Sequence, residues 1–289
     1  MATAAEWLEG ARPRTLPAAV APVLVGTGAA AQLGSASLGL AALAAGVALA
    51  LQVGVNYAND YSDGVRGTDL DRVGPMRLTG SGAARPAQVR AAAFAAFGVG
   101  GVIGLALVAI TGQWWLLAVG AAAVAAAWTY TGGRHPYGYL GFGEVGVFVF
   151  FGLVAVLGTT YTQTGTLSWP AVAGAIGIGL IACALLMVNN IRDIPTDALA
   201  GKRTLAVRLG ERRARQLYAT FVVLPILLAV SCAPAAPWSL LVLLLALPVG
   251  LLVTTVLAGA RGVLLRPVLA GTGMLELGYG MLLGLGLAL

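Results

Sequence analysis

The sequence predicts an all-α, polytopic membrane protein, a bundle of nine transmembrane helices, and three observations predict it. Hydrophobic residues fill 59% of 289 positions and charged residues only 10%, at a mean hydropathy of +0.89. Soluble domains carry about 25% charged residues, so 17 bases and 11 acids are too few to coat a globule of this length. The apolar surface therefore faces lipid. The apolar residues also fall into runs long enough to cross a hydrocarbon core of about 30 Å as helices. Finally, the connections between those runs alternate in charge.

The first run, 15–32, follows Arg12 and Arg14. Two bases before an apolar stretch also mark a secretory signal, but the run reads as a retained span, because its removal leaves eight spans and an external N-terminus. Further runs lie at 38–58, 87–111, 114–130, 142–162, 170–190, 214–232, 238–258 and 267–288. The connections 32–37, 111–113, 163–169 and 233–237 contain no Lys, Arg, Asp or Glu, and all 17 bases lie in the N-terminal segment, in the alternate connections or, for Arg90 and Arg215, in the first turn of the run that adjoins one. Short loops rich in Lys and Arg stay cytoplasmic. The N-terminus is therefore expected in the cytoplasm and the C-terminus outside, which requires an odd number of spans independently of hydropathy. With nearly all the length committed to spans, residues 1–289 read as a single transmembrane domain.

Several function classes are excluded. A net charge of +6 and a pI near 9.7 are compatible with nucleic-acid binding, yet bases confined to one membrane face are accounted for by anionic lipid. Cys183 and Cys232 have no CxxC spacing, so neither a disulfide framework nor a zinc site is indicated. Most of the 41 glycines read as close helix contacts, with Gly100-x-x-x-Gly104 and Gly280-x-x-x-Gly284 as small-residue faces. Gly26-x-Gly28 and Gly271-x-Gly273 lie inside spans with no strand before them, which argues against a dinucleotide site.

The second run ends in a polar cluster. Asn56, Asn59, Asp60 and Asp63 stand at i, i+3, i+4 and i+7, one face of a helix, with Asp69 and Asp71 beyond. The sixth run ends similarly, with Asn190, Asp193 and Asp197 on one face. A single Asp at a span's end reads as a solvated anchor. Two stacked clusters do not, because like charges three or four residues apart repel and no base shares those faces closely enough to neutralise them all. Divalent cations supply the missing charge. Hard oxygen donors without His or Cys favour Mg²⁺, Mn²⁺ or Ca²⁺ over zinc. Mg²⁺ is commonly held by one or two carboxylates together with substrate phosphates, which points to a diphosphate.

Gly201-Lys202-Arg203-Thr204 adds two cations and a hydroxyl suited to phosphate oxygens, and Lys202 is the sole lysine. Tyr130 and Arg134 close the fourth run on the same side and offer a third cation. His135 reads as a loop residue.

Taken together, Asn59-Asp60-x-x-Asp63 and Asp193-x-x-x-Asp197 on a nine-span chain resemble the UbiA-type intramembrane prenyltransferase superfamily. The stretches 12–17, 56–69, 136–141, 149–152, 189–193 and 201–210 resemble its menaquinone-pathway branch, the 1,4-dihydroxy-2-naphthoate polyprenyltransferases. Gly67 stands where the general pattern continues with a third acid, and Asp69 is displaced by two, a spacing shared with the naphthoate branch. Arg134 replaces the Lys of the general Tyr-x-x-x-Lys.

The resemblance implies a Mg²⁺-dependent enzyme (Mn²⁺ substituting) that moves a polyprenyl group from an allylic polyprenyl diphosphate onto 1,4-dihydroxy-2-naphthoate, with loss of CO₂ and diphosphate, in the cytoplasmic membrane of a bacterium. It implies Asp60, Asp63, Asp193 and Asp197, with Asp69, as metal ligands. Lys202 and Arg203 would neutralise the leaving diphosphate, with Asn56, Asn59, Asn190, Tyr130 and Arg134 as further diphosphate contacts. Arg12 and Arg14 would hold the acceptor carboxylate, and Phe148, Phe150 and Phe151 would line the tail. Three other readings stay open: a family member acting on 4-hydroxybenzoate, homogentisate or a glycerol phosphate; a secondary transporter; and a lipid-binding scaffold. The acids' position at one interface and the absence of matched halves argue against the transporter.

Overall fold

A computed structural model of the chain describes residues 2–67 and 76–289. Among the described residues every regular element is helical. The first helix, α1 (Ala4–Gly10), is opened by a capping box in which the Glu6 amide donates to Thr3 Oγ1 and the Thr3 amide to Glu6. The chain then breaks at Arg12, the one described non-glycine residue with a positive φ (55°), just before Pro13. Beyond it run α2 (Pro17–Gln32), α3 (Leu38–Arg66), α4 (Pro86–Thr111), α5 (Leu116–Thr129), α6 (Gly143–Thr164), α7 (Trp169–Leu199), α8 (Leu205–Val230), α9 (Pro237–Leu257) and α10 (Leu265–Ala288). The central turns of α6, Phe148–Leu157, are wound as a π-helix.

All nine predicted apolar runs are helical, but they are not nine equivalent crossings. Seven helices are long and apolar enough to span, and α2 becomes an eighth only together with Ala4–Thr15, from which it bends by 44°. The remaining one, α5, has 14 residues, about 21 Å at 1.5 Å per residue, which is short of a hydrocarbon core. The predicted run 114–130 counted Trp114 and Trp115, whose backbone is spent in a turn that precedes the helix (Leu117 N to Trp114 O, 3.1 Å). In α8 the chain breaks at Gly210 (φ 74°), and the predicted span beginning at 214 starts just after that kink.

The core forms around α7, which packs against α2, α6, α8 and α10. In its apolar window 72% of residues are buried, because Ala171, Gly174, Ala175, Gly177 and Gly179 keep its surface thin and let neighbours close in. The Gly280-x-x-x-Gly284 face works as expected. A Cβ at Gly284 would stand 2.6 Å from the Leu24 carbonyl of α2, and one at Gly280 would stand 2.8 Å from Ala21 Cα.

Helices α3 and α7 position the site. At 29 and 31 residues they are about 43 and 46 Å long, against about 30 Å of hydrocarbon. Their final turns therefore carry Asn59–Arg66 and Asn189–Leu199 beyond the apolar stretch without leaving helical geometry. Exposed Trp114, Trp115, Trp169 and Trp238 lie at the opposite helix ends, where an interfacial aromatic belt is stable.

Candidate active site

The ends of α3 and α7, the 130–139 segment and the 199–204 loop enclose a cavity of about 490 Å³. A groove of similar volume along Pro237–Leu244 has only apolar residues and Ser-free walls at the other membrane face, and offers no chemistry. The polar cavity is lined by Asn59 and Asp63 from α3, by Asn189, Asn190, Asp193, Thr196 and Asp197 from α7, and by Arg12, Arg77, Tyr130, Thr131, Tyr139, Lys202 and Thr204.

The four polar residues predicted on one face of α3 divide between two tasks. At about 100° per residue, Asn59 and Asp63 form one edge of the stripe and Asn56 and Asp60 the other. Asn59 and Asp63 face the cavity. Thr131 Oγ1 donates to Asn59 Oδ1 at 2.8 Å, and the Tyr139 phenol donates to Asp63 Oδ1. The Arg77 guanidinium lies 3.8 Å from Asp63 Oδ2. Asn56 and Asp60 are buried and face neighbouring backbone. Asn56 donates to the Ala11 carbonyl at 2.9 Å and to Thr15 Oγ1 at 3.0 Å. Both Asp60 oxygens accept backbone amides, those of Leu78 and Thr79, at 2.8 Å each. Neither residue lines the cavity; the hydrogen bonds they make run instead to the chain before α2 and to the turn before α4.

On α7 the prediction and the geometry run closer. Asn190, Asp193 and Asp197 all face the cavity. Asp193 already has a counter-charge: Arg192 Nε and Nη2 donate to its two oxygens at 2.7 Å each, and Nη2 also reaches Asn189 Oδ1 at 2.8 Å. With Arg77 beside Asp63, two of the acids thus have a base close by. Adjacent residues do not share a helical face, but a long arginine stem curls round to its neighbour. Asn190 donates to Glu144 Oε1 at 3.2 Å.

The 200–204 loop is tied down by backbone bonds, Lys202 N to Asp197 O at 2.9 Å and Arg203 N to Tyr139 O at 2.8 Å. Lys202 turns into the cavity; Arg203 is exposed and does not. Tyr130 lines the cavity with its ring edge-on to Tyr137 (5.4 Å, 82°), and burial pushes the Tyr137 phenol up to about 12. Arg134 and Arg14 are exposed and outside the lining, whereas Arg12 is within it. Phe148 packs against Gly179 of α7, so that a Cβ there would meet its ring at 2.8 Å. Asp69 lies outside the described residues.

Arg77, Tyr139 and the buried Glu144 were missed by sequence reasoning. Glu144 had a signal, as the lone acid in the run 142–162, and Tyr139 lay in the quoted stretch 136–141 without a role. Nothing in the sequence distinguished Arg77 from the other bases of its loop.

Among the described residues no three acids, His or Cys converge into a ready-made metal shell. The donors facing the cavity are nonetheless hard oxygens from carboxylates and amides beside one ammonium. That set suits an oxygen-seeking divalent ion completed by phosphate and water, and not a metal caged by protein alone.

The model of the UbiA prenyltransferase family matches residues 19–263. The chain is 53% identical over 275 residues to a 1,4-dihydroxy-2-naphthoate octaprenyltransferase of Mycobacterium tuberculosis, covering 95% of this chain and 94% of that one. To the enzyme of the same description from Escherichia coli it is 42% identical, covering 74% and 71%. Among solved structures, a UbiA homolog from Aeropyrum pernix K1 superposes with a TM-score of 0.72 at 17% identity, covering 93% of this chain and 96% of that one. A UbiA homolog from Archaeoglobus fulgidus bound to DMAPP and Mg²⁺ superposes at 0.63 with 14% identity, covering 96% and 99%. The apolar helices, the paired acidic helix ends and these likenesses lead to one conclusion: the chain is an integral membrane protein that belongs to the UbiA prenyltransferase family.

Proposed function

We propose that this protein, as a single membrane domain, transfers a polyprenyl group from an allylic polyprenyl diphosphate to 1,4-dihydroxy-2-naphthoate, releasing diphosphate and CO₂. The observation that carries the proposal is one cavity bounded by acids from two helix ends with Lys202 and Arg77 beside them. The acceptor assignment rests on the 53% identical relative.

Asp63, Asp193 and Asp197, with Asn59, are the residues that would hold Mg²⁺; Asp60 instead supports the turn that carries Arg77. When bound, the metal supplies positive charge to the diphosphate oxygens as the allylic carbon–oxygen bond breaks. Lys202 and Arg77 neutralise the rest of that charge, which is transition-state stabilisation because the charge grows as the bond lengthens. Tyr130 and Asn190 flank the same space. Surrounding helices exclude water, so the allylic carbon meets the ring and not a hydroxyl. The ring bonds to that carbon and its carboxylate departs as CO₂, a step that balances without a further proton. Arg12 is the base placed to orient the acceptor carboxylate.

The topology proposed with this chemistry has nine crossings, with α5 and α2 as the short ones, the N-terminus and cavity at the cytoplasmic face of a bacterial cell membrane, and the C-terminus outside. The confinement of bases to one set of connections supports it.

The test is direct. Purified protein receives Mg²⁺, an allylic diphosphate and either 1,4-dihydroxy-2-naphthoate or 4-hydroxybenzoate. Prenylated naphthoate with CO₂ release is expected. Prenylation of the benzoate alone refutes the acceptor, and no product with either ring refutes the enzyme.

A further inference from the structure

Tyr139 stands on the 3₁₀ turn Tyr137–Leu140, between the end of α3 and the loop that follows α7, and touches both. Its phenol donates to Asp63 Oδ1 at the end of α3. Its ring lies under the Lys202 ammonium, Nζ to centroid 4.5 Å, with the Arg66 guanidinium 5.5 Å away. Its carbonyl accepts the Arg203 amide at 2.8 Å, which fixes the 202–204 backbone over it. One side chain thus contacts the anion of one cluster and the cation of the other.

We infer that Tyr139 is a positioning residue that sets the Asp63 carboxylate with its hydroxyl and the Lys202 ammonium with its ring, registering the metal-binding and diphosphate-binding halves of the cavity. The inference rests on the function proposed above. Each half has a physical reason. A lysine head is a compact charge on a four-carbon stem and disperses over many rotamers unless held, and the negative face of an aromatic ring holds it without competing for its three donors. A carboxylate that accepts a phenol proton on one oxygen keeps its rotamer and presents the other oxygen to the cavity, where such outer partners govern metal affinity. The two halves share no atoms, so two substitutions separate them.

Tyr139→Phe keeps the ring and removes the hydroxyl; Tyr139→Leu removes both. The full chain in detergent is titrated with Mn²⁺ alone, followed by paramagnetic resonance, and with inorganic diphosphate in saturating Mg²⁺, followed by calorimetry. Tyr139→Phe is expected to weaken Mn²⁺ binding about 10- to 100-fold and leave diphosphate binding within about twofold. Tyr139→Leu is expected to weaken diphosphate binding as well, by about 3- to 30-fold, the equivalent of a partly desolvated cation–π contact. In a Lys202→Met background that second loss disappears. Parental Mn²⁺ affinity in Tyr139→Phe overturns the carboxylate half, and an undiminished Tyr139→Leu effect in the Lys202→Met background overturns the ammonium half. Should Tyr139→Leu not fold, the nearly isosteric Phe variant decides through Mn²⁺ alone. If the parent binds neither Mn²⁺ nor diphosphate, the proposed function falls and this inference with it; if the parent binds both and the variants match it, only the inference falls.

Discussion

Asp60→Asn separates the two roles that a buried acid in the α3 motif can have. Asp60 is 1% exposed, and its two oxygens accept the Leu78 and Thr79 amides at 2.8 Å each. An asparagine keeps one acceptor and turns an NH₂ toward the second amide, so one charge-assisted bond is lost and two donors meet. Hydrogen bonds to charged groups contribute about 1.5–3 kcal/mol, and an unsatisfied buried donor costs about 1–3 kcal/mol; these overlap, giving a loss of about 2–4 kcal/mol. At about 2 °C per kcal/mol for a chain of this size, the apparent Tm falls by about 4–8 °C. The assay pairs thermal unfolding in detergent with a Mn²⁺ titration of Asp60→Asn and Asp63→Asn at a temperature where both are folded. Asp60→Asn should lose stability while binding Mn²⁺ nearly as the parent does, and Asp63→Asn should lose Mn²⁺ binding with a smaller change in Tm. Loss of Mn²⁺ binding in Asp60→Asn at parental Tm would refute this division of labour.

Three other outcomes are expected. Arg192→Gln removes the guanidinium 2.7 Å from Asp193, so Mn²⁺ should bind several-fold more tightly without diphosphate; an unchanged Mn²⁺ titration contradicts the pairing. Glu276 is fully buried in α10, and among the described residues neither carboxyl oxygen has a hydrogen-bond partner; Glu276→Leu should stabilise by about 1–3 kcal/mol, read as a raised apparent Tm, and a lowered one rejects this account. Removing divalent ions with EDTA should abolish prenyl transfer and added Mg²⁺ should restore it, whereas full activity after chelation would contradict a metal role for Asp63, Asp193 and Asp197.

Much of the protein was readable from the chain alone because lipid imposes simple rules. A backbone in hydrocarbon must bond to itself, so apolar runs became helices, and 17 bases sorted between alternate connections indicated which helix ends lie together. Period and charge also brought Asp63, Asp193, Asp197, Asn59, Asn190 and Lys202 to one place. What periodicity could not do was divide a polar stripe about 100° wide. Asn56 and Asp60 share a face with Asn59 and Asp63, but the 11–15 segment and the 78–79 turn take the first pair and the cavity takes the second. Only tertiary packing decided that, because the choice depends on which distant backbone groups arrive needing partners. The same holds for Arg77 and Tyr139. Their roles come from long-range approach, Arg77 Nη2 to Asp63 at 3.8 Å and the Tyr139 ring beneath Lys202 at 4.5 Å, and no local spacing encodes either. The sequence determined the membrane, the helices and the two acidic ends; packing decided which of their side chains face the cavity and which face neighbouring backbone.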